Sequence, residues 1–105
     1  MTTLERLAQT IAARNGADPD SSWTAKLLSQ GPERCAEKFG EEAVEAIIEA
    51  VRGDTDRLRA EAADVLYHLL VMLEARGVPF EDVLRELETR EAQSGLAEKA
   101  ARPGP

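Results

Sequence analysis

The sequence predicts an all-α protein, and three observations carry that expectation. Glycine and proline cut the 105 residues into pieces of helix length, which is how helical segments are punctuated. No alternation of apolar and polar residues runs long enough to make a sheet. Aromatic residues supply only 4% of the chain, as Trp23, Phe39, Tyr67 and Phe80, against 43% hydrophobic residues in all. The core must therefore be built mainly from Leu, Val, Ile and Ala, a mixture that suits helices. A chain of this length makes one compact domain, residues 1–105. It buries a smaller fraction of its surface than a larger protein does. The expected architecture is a four- to five-helix bundle completed by dimerisation.

The first helix is expected to start at Thr2, with Glu5 completing a capping box, to run through Leu4, Leu7 and Ile11, and to stop at Asn15-Gly16. Residues 17–22 form a polar linker containing Pro19. A short second helix covers Trp23 to Ser29 and ends at Gly31-Pro32. Pro32, which has no N–H to leave unpaired, fits the first turn of a third helix reaching Arg52 and stopped by Gly53. Asp54 is a good N-cap for a fourth helix reaching Arg76 before Gly77. A fifth follows Pro79 and carries Val83, Leu84 and Leu87 on one face as far as Gly95. The tail after about residue 95 ends in Arg102-Pro103-Gly104-Pro105 and is expected to be partly flexible.

Twenty Asp and Glu stand against thirteen Lys and Arg, a formal charge of −7. That balance excludes a nucleic-acid backbone binder, which needs clustered cations, and it excludes anionic membranes as partners. An acidic protein that handles a phosphorylated substrate needs a bridging cation. The single cysteine, Cys35, makes no intrachain disulfide and by itself no thiolate metal site. A reducing, cytoplasmic compartment fits. Residues 1–14 show no secretory signal pattern. The apolar stretch from Val65 to Leu73 is interrupted by His68 and falls far short of the roughly 20 residues of a membrane span.

Helical spacing of about 100° per residue puts Val44, Ile47, Ile48 and Val51 on one face of the third helix, a line that Glu37 and Glu41 continue. That face is expected to be buried. Glu41, Glu42 and Glu45 converge along its border at i+3 and i+4 spacing, with Lys38 beside them, whereas Glu49 fits a solvated position. On the fourth helix Leu58, Ala62, Val65, Leu66, Leu69, Met72 and Leu73 form the expected core stripe. Glu61, Asp64 and His68 line its flank at i, i+3 and i+7, and Tyr67 and Leu70 face away. If the two helices pair antiparallel across Gly53-Asp54, these flanks meet in one groove. Carboxylates held that close repel unless protonated or bridged by a cation, and an all-oxygen set suits Mg²⁺ or Mn²⁺. The competing reading is a solvated, salt-bridged acidic face. For His68 the expected role is a hydrogen-bonded packing residue. An apolar surface nearly all round Val65 to Leu73 calls for cover on more than one side, and a second subunit is the expected cover.

The run Glu41-Glu42-Ala43-Val44-Glu45, followed by Glu61-Ala62-Ala63-Asp64, resembles the EExxE and ExxD pair of the all-α nucleoside-triphosphate pyrophosphatases of MazG-type fold. Three further segments narrow the resemblance. They are Ser22-Trp23-Thr24-Ala25-Lys26-Leu27-Leu28 with Gly31, Ala36-Glu37-Lys38-Phe39-Gly40-Glu41-Glu42, and Ser94-Gly95-Leu96-Ala97-Glu98-Lys99-Ala100 with Arg102. Together they resemble the phosphoribosyl-ATP pyrophosphohydrolases of histidine biosynthesis, from Leu4 to Arg102. Where that pattern usually has Tyr, this chain has Trp23, which keeps a large planar side chain and loses a hydroxyl.

The resemblance implies hydrolysis of the α–β phosphoanhydride of 1-(5-phosphoribosyl)-ATP, with Mg²⁺ as cofactor and a homodimer as the assembly. The metal would be held by Glu41, Glu42, Glu45, Glu61 and Asp64, with Glu42 and Glu45 as the catalytic carboxylates that orient or deprotonate a water. Lys26, Lys38, Lys99 and Arg102 are candidate phosphate contacts, ahead of Arg34. The segment of Ser22, Trp23 and Thr24 is a candidate for substrate binding, through N–H groups at a helix start or stacking of Trp23 on a base; capping and packing are the plain alternatives. Gly40, inside a helix, costs about 1 kcal/mol against Ala and would allow close approach of a helix or the substrate. Two other functions stay open. One is a house-cleaning hydrolase of free nucleoside triphosphates, and the other a non-catalytic helical dimer module. A di-iron carboxylate bundle lacks its Glu-x-x-His pairs here.

Overall fold

The computed structural model describes residues 1–93, and these form five helices. They are α1 (Thr3–Arg14), α2 (Trp23–Ser29), α3 (Pro32–Arg52), α4 (Thr55–Ala75) and α5 (Phe80–Glu91). Their ends follow local chemistry. Thr2 and Glu5 form the expected reciprocal capping box. Ser22 caps α2 by accepting from the N–H of Ala25 at 3.0 Å, and Asp54 caps α4 by accepting from that of Arg57 at 3.0 Å. Pro32 occupies the first turn of α3. Gly53 closes α3 at φ 81°, a left-handed geometry that glycine adopts without strain. With Asp54 it reverses the chain in two residues, so α3 and α4 lie antiparallel as a long hairpin. α5 closes at Glu91, short of the expected stop at Gly95. Leu87 is its last apolar residue, so the following turn has nothing to bury.

The core lies at one end of the molecule. Ile11, Leu27, Cys35, Leu70 and Val71 are buried together, with Leu4, Leu7, Leu28, Tyr67, Met72, Leu73 and Phe80 packed around them. Two hydrogen bonds tie this end. Asn15 Nδ2 donates to Glu74 Oε2 at 2.8 Å, joining α1 to α4. Thr24 Oγ1 and Tyr67 Oη, 2.6 Å apart, join α2 to α4. The Cys35 thiol donates to the carbonyl of Leu27 at 3.3 Å, and burial pushes its pKa up, so it is a protonated packing group.

Beyond this core the far halves of α3 and α4 have chiefly each other for company, and the molecule is elongated, 48 × 33 × 28 Å. Here the structure overturns the expected orientation of α3. Val44, Ile47, Ile48 and Val51 are exposed, Ile47 at 61% and Val51 at 83%, while Glu49 is only 6% exposed. The face turned toward α4 is the carboxylate face of Glu42, Glu45 and Glu49, related by i, i+3 and i+7. On α4, Leu70 is buried rather than turned away, Leu66 and Ala62 are exposed, and the remainder of the expected stripe is half-buried. Gly40 has open space where a Cβ would stand, so within one chain no helix approaches it closely.

Candidate metal centre

Each half of the hairpin contributes one line of acids. Glu42 and Glu45 stand one turn apart on α3, and Glu61 faces them from α4 near the reversal at Gly53-Asp54. Carboxylate oxygens of these three residues all lie within 4.8 Å of one another. Glu61 Oε2 is buried without a hydrogen-bond partner. An ionised oxygen buried in that way costs free energy that a bound cation would offset. The donor set is all oxygen, so a hard divalent cation fits it.

The electrostatics carry the same signature. The Glu42 carboxyl is raised above its usual 4.5, first by burial, then by the charge of Glu45 and a hydrogen bond with it, and by Asp64, with His68 pulling the other way. Glu61 is raised by burial, then by its hydrogen bond and charge interaction with Glu45, with Glu42 and Asp64 adding to it. Burial and mutual repulsion thus favour the protonated forms of Glu42 and Glu61 in the metal-free cluster. The folded form binds those protons more tightly than the unfolded chain, so the stability they contribute is fully present below 4.5 and is lost as pH rises through the raised values. Thermal melts should therefore show the metal-free protein losing stability across this mildly acidic window, whereas millimolar Mg²⁺ should stabilise strongly near pH 8 and hardly at about pH 4.5. A Mg²⁺ effect independent of pH would contradict ligation by these carboxylates.

The other acids of the two sequence motifs stand differently. Glu41 is exposed and engaged by Lys38 at 3.2 Å and Arg34 at 3.8 Å. Asp64 is exposed and outside the 4.8 Å group, yet near enough for its charge to act on both Glu42 and Glu61. Lys38 Nζ reaches to 3.9 Å from Glu42, placing a cation on the edge of the cluster. Ser22 spends its hydroxyl on the α2 cap, and Thr24 spends its own on Tyr67. Trp23 is half-exposed and Lys26 exposed, both on α2. Lys99 and Arg102 lie outside the described residues, as does the segment from Ser94.

Three residues gain significance only in the structure. Glu49, expected in solvent, is buried, with Arg52 3.7 Å away. Its spacing from Glu42 and Glu45 was the available signal. Arg57 joins Glu45, Ile48, Glu49 and Glu61 around a recess of about 300 Å³ that opens beside the cluster. His68, expected to be hydrogen-bonded and packed, is 7% exposed and has one ring nitrogen bonded and the other without a partner.

Comparison with known proteins identifies the family. A family profile described as phosphoribosyl-ATP pyrophosphohydrolase matches residues 4–91. The chain is 74% identical over 102 residues to the phosphoribosyl-ATP pyrophosphatase of Cereibacter sphaeroides strain ATCC 17025, covering 97% of this chain and 99% of that one. It is 72% identical over 102 residues to the protein of the same name from Dinoroseobacter shibae, covering 97% and 100%. With the Ruegeria pomeroyi protein, again of that name, it shares 71% identity over 103 residues, 98% of each chain. Matched along nearly its whole length, and carrying the acidic cluster between its two long helices, the chain belongs to the phosphoribosyl-ATP pyrophosphohydrolase family.

Proposed function

We propose that the chain hydrolyses 1-(5-phosphoribosyl)-ATP to 1-(5-phosphoribosyl)-AMP and pyrophosphate, the second step of L-histidine biosynthesis, with Mg²⁺ as its metal and Mn²⁺ as a working substitute. The observation that carries the reading is the meeting of Glu42, Glu45 and Glu61 oxygens within 4.8 Å in a chain of this family. A divalent cation bound there neutralises phosphate oxygens, stabilises pyrophosphate as a leaving group and acidifies a coordinated water. Glu42, Glu45 and Glu61 would hold the cation, with Glu41 and Asp64 as further candidate ligands on the exposed border. Glu42 or Glu45 takes the proton of the attacking water as its oxygen bonds to the α-phosphorus and the bond to the bridging oxygen breaks.

The substrate carries more negative charge than the metal offsets. Lys38, on the edge of the cluster, and Arg57, on the recess, take phosphate oxygens, and Lys26, Lys99 and Arg102 add further cations. Ser22, Trp23 and Thr24 shape the α2 side, Trp23 through an exposed ring that can stack on a base. The working form is a homodimer, in which a second copy covers Val44, Ile47, Ile48 and Val51. Steady-state release of pyrophosphate from phosphoribosyl-ATP, with Mg²⁺ and then with excess EDTA, tests the reading. Turnover should require the metal and exceed that of free nucleoside triphosphates. Faster hydrolysis of the free nucleotides would favour a house-cleaning enzyme, and an absence of turnover together with a melt unmoved by Mg²⁺ would favour a helical dimer module.

A further inference from the structure

His68 is the only histidine in the chain, and its ring is held from several sides. Nδ1 lies 2.8 Å from the backbone carbonyl oxygen of Asp64, one turn earlier. A carbonyl only accepts, so Nδ1 carries the hydrogen and, in the neutral ring, Nε2 presents a bare lone pair. The Tyr67 ring meets the imidazole edge-on, with centroids 4.9 Å apart and planes at 87°, and Tyr67 is itself tied to Thr24. Orientation is thereby settled, yet Nε2 is buried without a partner in a residue only 7% exposed.

Among the described residues, the buried side-chain polar atoms without partners are two, His68 Nε2 and Glu61 Oε2. They stand two turns apart on one side of α4, the side from which Glu61 meets Glu42 and Glu45. A bare imidazole nitrogen and an ionised carboxylate oxygen are both acceptors, so with the carboxyl deprotonated, as metal ligation requires, neither satisfies the other. A cation for Glu61 and a water hydrogen for His68 would satisfy both, and a water on that cation would answer the two needs at once. Direct ligation by Nε2 is disfavoured for a hard cation in an oxygen site.

We propose that His68 is a positioning residue whose Nε2 accepts a hydrogen bond from a water on the metal held by Glu42, Glu45 and Glu61. The proposal rests on the metal-centre reading above. By fixing where one water hydrogen points, His68 sets the direction of the water's lone pairs toward the phosphate, an outer-sphere role whose loss typically costs about 10–100-fold in activity.

Because His68 is alone, ¹⁵N correlation spectra of the imidazole read its state without an assay. The metal-free protein should show the Nδ1–H tautomer. Mg²⁺ should then shift the Nε2 resonance while Nδ1 keeps its proton, and the shift should vanish in Glu61→Gln. Kinetically, His68→Phe should lower kcat by about 10–100-fold with KM little changed, and His68→Gln, whose amide oxygen can stand near Nε2, should recover part of the loss. If His68→Phe does not fold, the spectra and His68→Gln carry the test. Mg²⁺ binding by calorimetry with an unmoved Nε2 resonance would overturn this proposal alone. A bare Nδ1 would overturn it too, as would wild-type kcat in His68→Phe or Mn²⁺ spin-echo spectra showing a directly bound nitrogen. No Mg²⁺ binding at all would overturn the metal centre and the proposal together.

Discussion

Glu61→Gln and Glu42→Gln should each abolish most Mg²⁺-dependent turnover while making the metal-free protein more stable. The two effects have opposite signs because carboxylates gathered to hold a metal would do so at the expense of the metal-free fold. Glu42 and Glu61 hold their protons above the usual carboxylate value through burial and through Glu45, so at neutral pH ionising them works against folding. An amide of the same shape carries no charge and removes that repulsion. It also removes an anionic ligand from a three-oxygen group that lies within 4.8 Å. Loss of such a ligand should lower kcat/KM by about a thousandfold or more, the scale of the transition-state charge stabilisation a metal supplies. Melting curves in EDTA should move upward in both variants, and Mg²⁺ should no longer raise them. Undiminished turnover in both would remove these residues from the metal site. A fall in metal-free stability would mean that the carboxylates serve the fold in some other way.

A charge placed in the exposed stripe of α3 should take the assembly apart. Val44, Ile47, Ile48 and Val51 expose about half or more of their surface in the single chain. Fully burying one such side chain stabilises by about 1.5–3 kcal/mol, so four together can supply much of a dimer's association energy. Ile47→Glu with Val51→Glu puts two anions one turn apart at the centre of that surface, in a chain already at −7, and each would have to be desolvated on association. Light scattering on a size-exclusion column should show a dimer for the native chain and a monomer for the double variant. The native melting midpoint should rise with protein concentration and the variant's should not. A variant that stays dimeric would place the interface elsewhere.

Much of this molecule was legible in local residue choices. Thr2 with Glu5, Ser22, Pro32, Gly53 and Asp54 act within a turn of their own position, so the beginnings and ends of α1 to α4 agree with expectation to within a residue. The acids of the two motifs were equally visible, since i, i+3 and i+4 spacing follows from helix geometry alone. Which face of α3 turns inward was not visible. Both its faces are coherent, one apolar and one acidic, and periodicity describes a face without saying what it meets. A reading that buries the apolar stripe within one chain sends Glu49 to solvent and brings Glu41 into the cluster, and the structure reverses the first and leaves Glu41 beside Lys38 and Arg34.

By itself, then, the sequence determined the helical class, the boundaries of α1 to α4 and a set of carboxylates capable of holding a divalent cation, because each depends on contacts within a few residues. The tertiary structure decided which carboxylates meet, that Glu49 and His68 are buried beside them, and that the apolar face of α3 is left uncovered. Those outcomes depend on how two 21-residue helices rotate about their axes when they pack, and that rotation is set by contacts between residues distant in the chain.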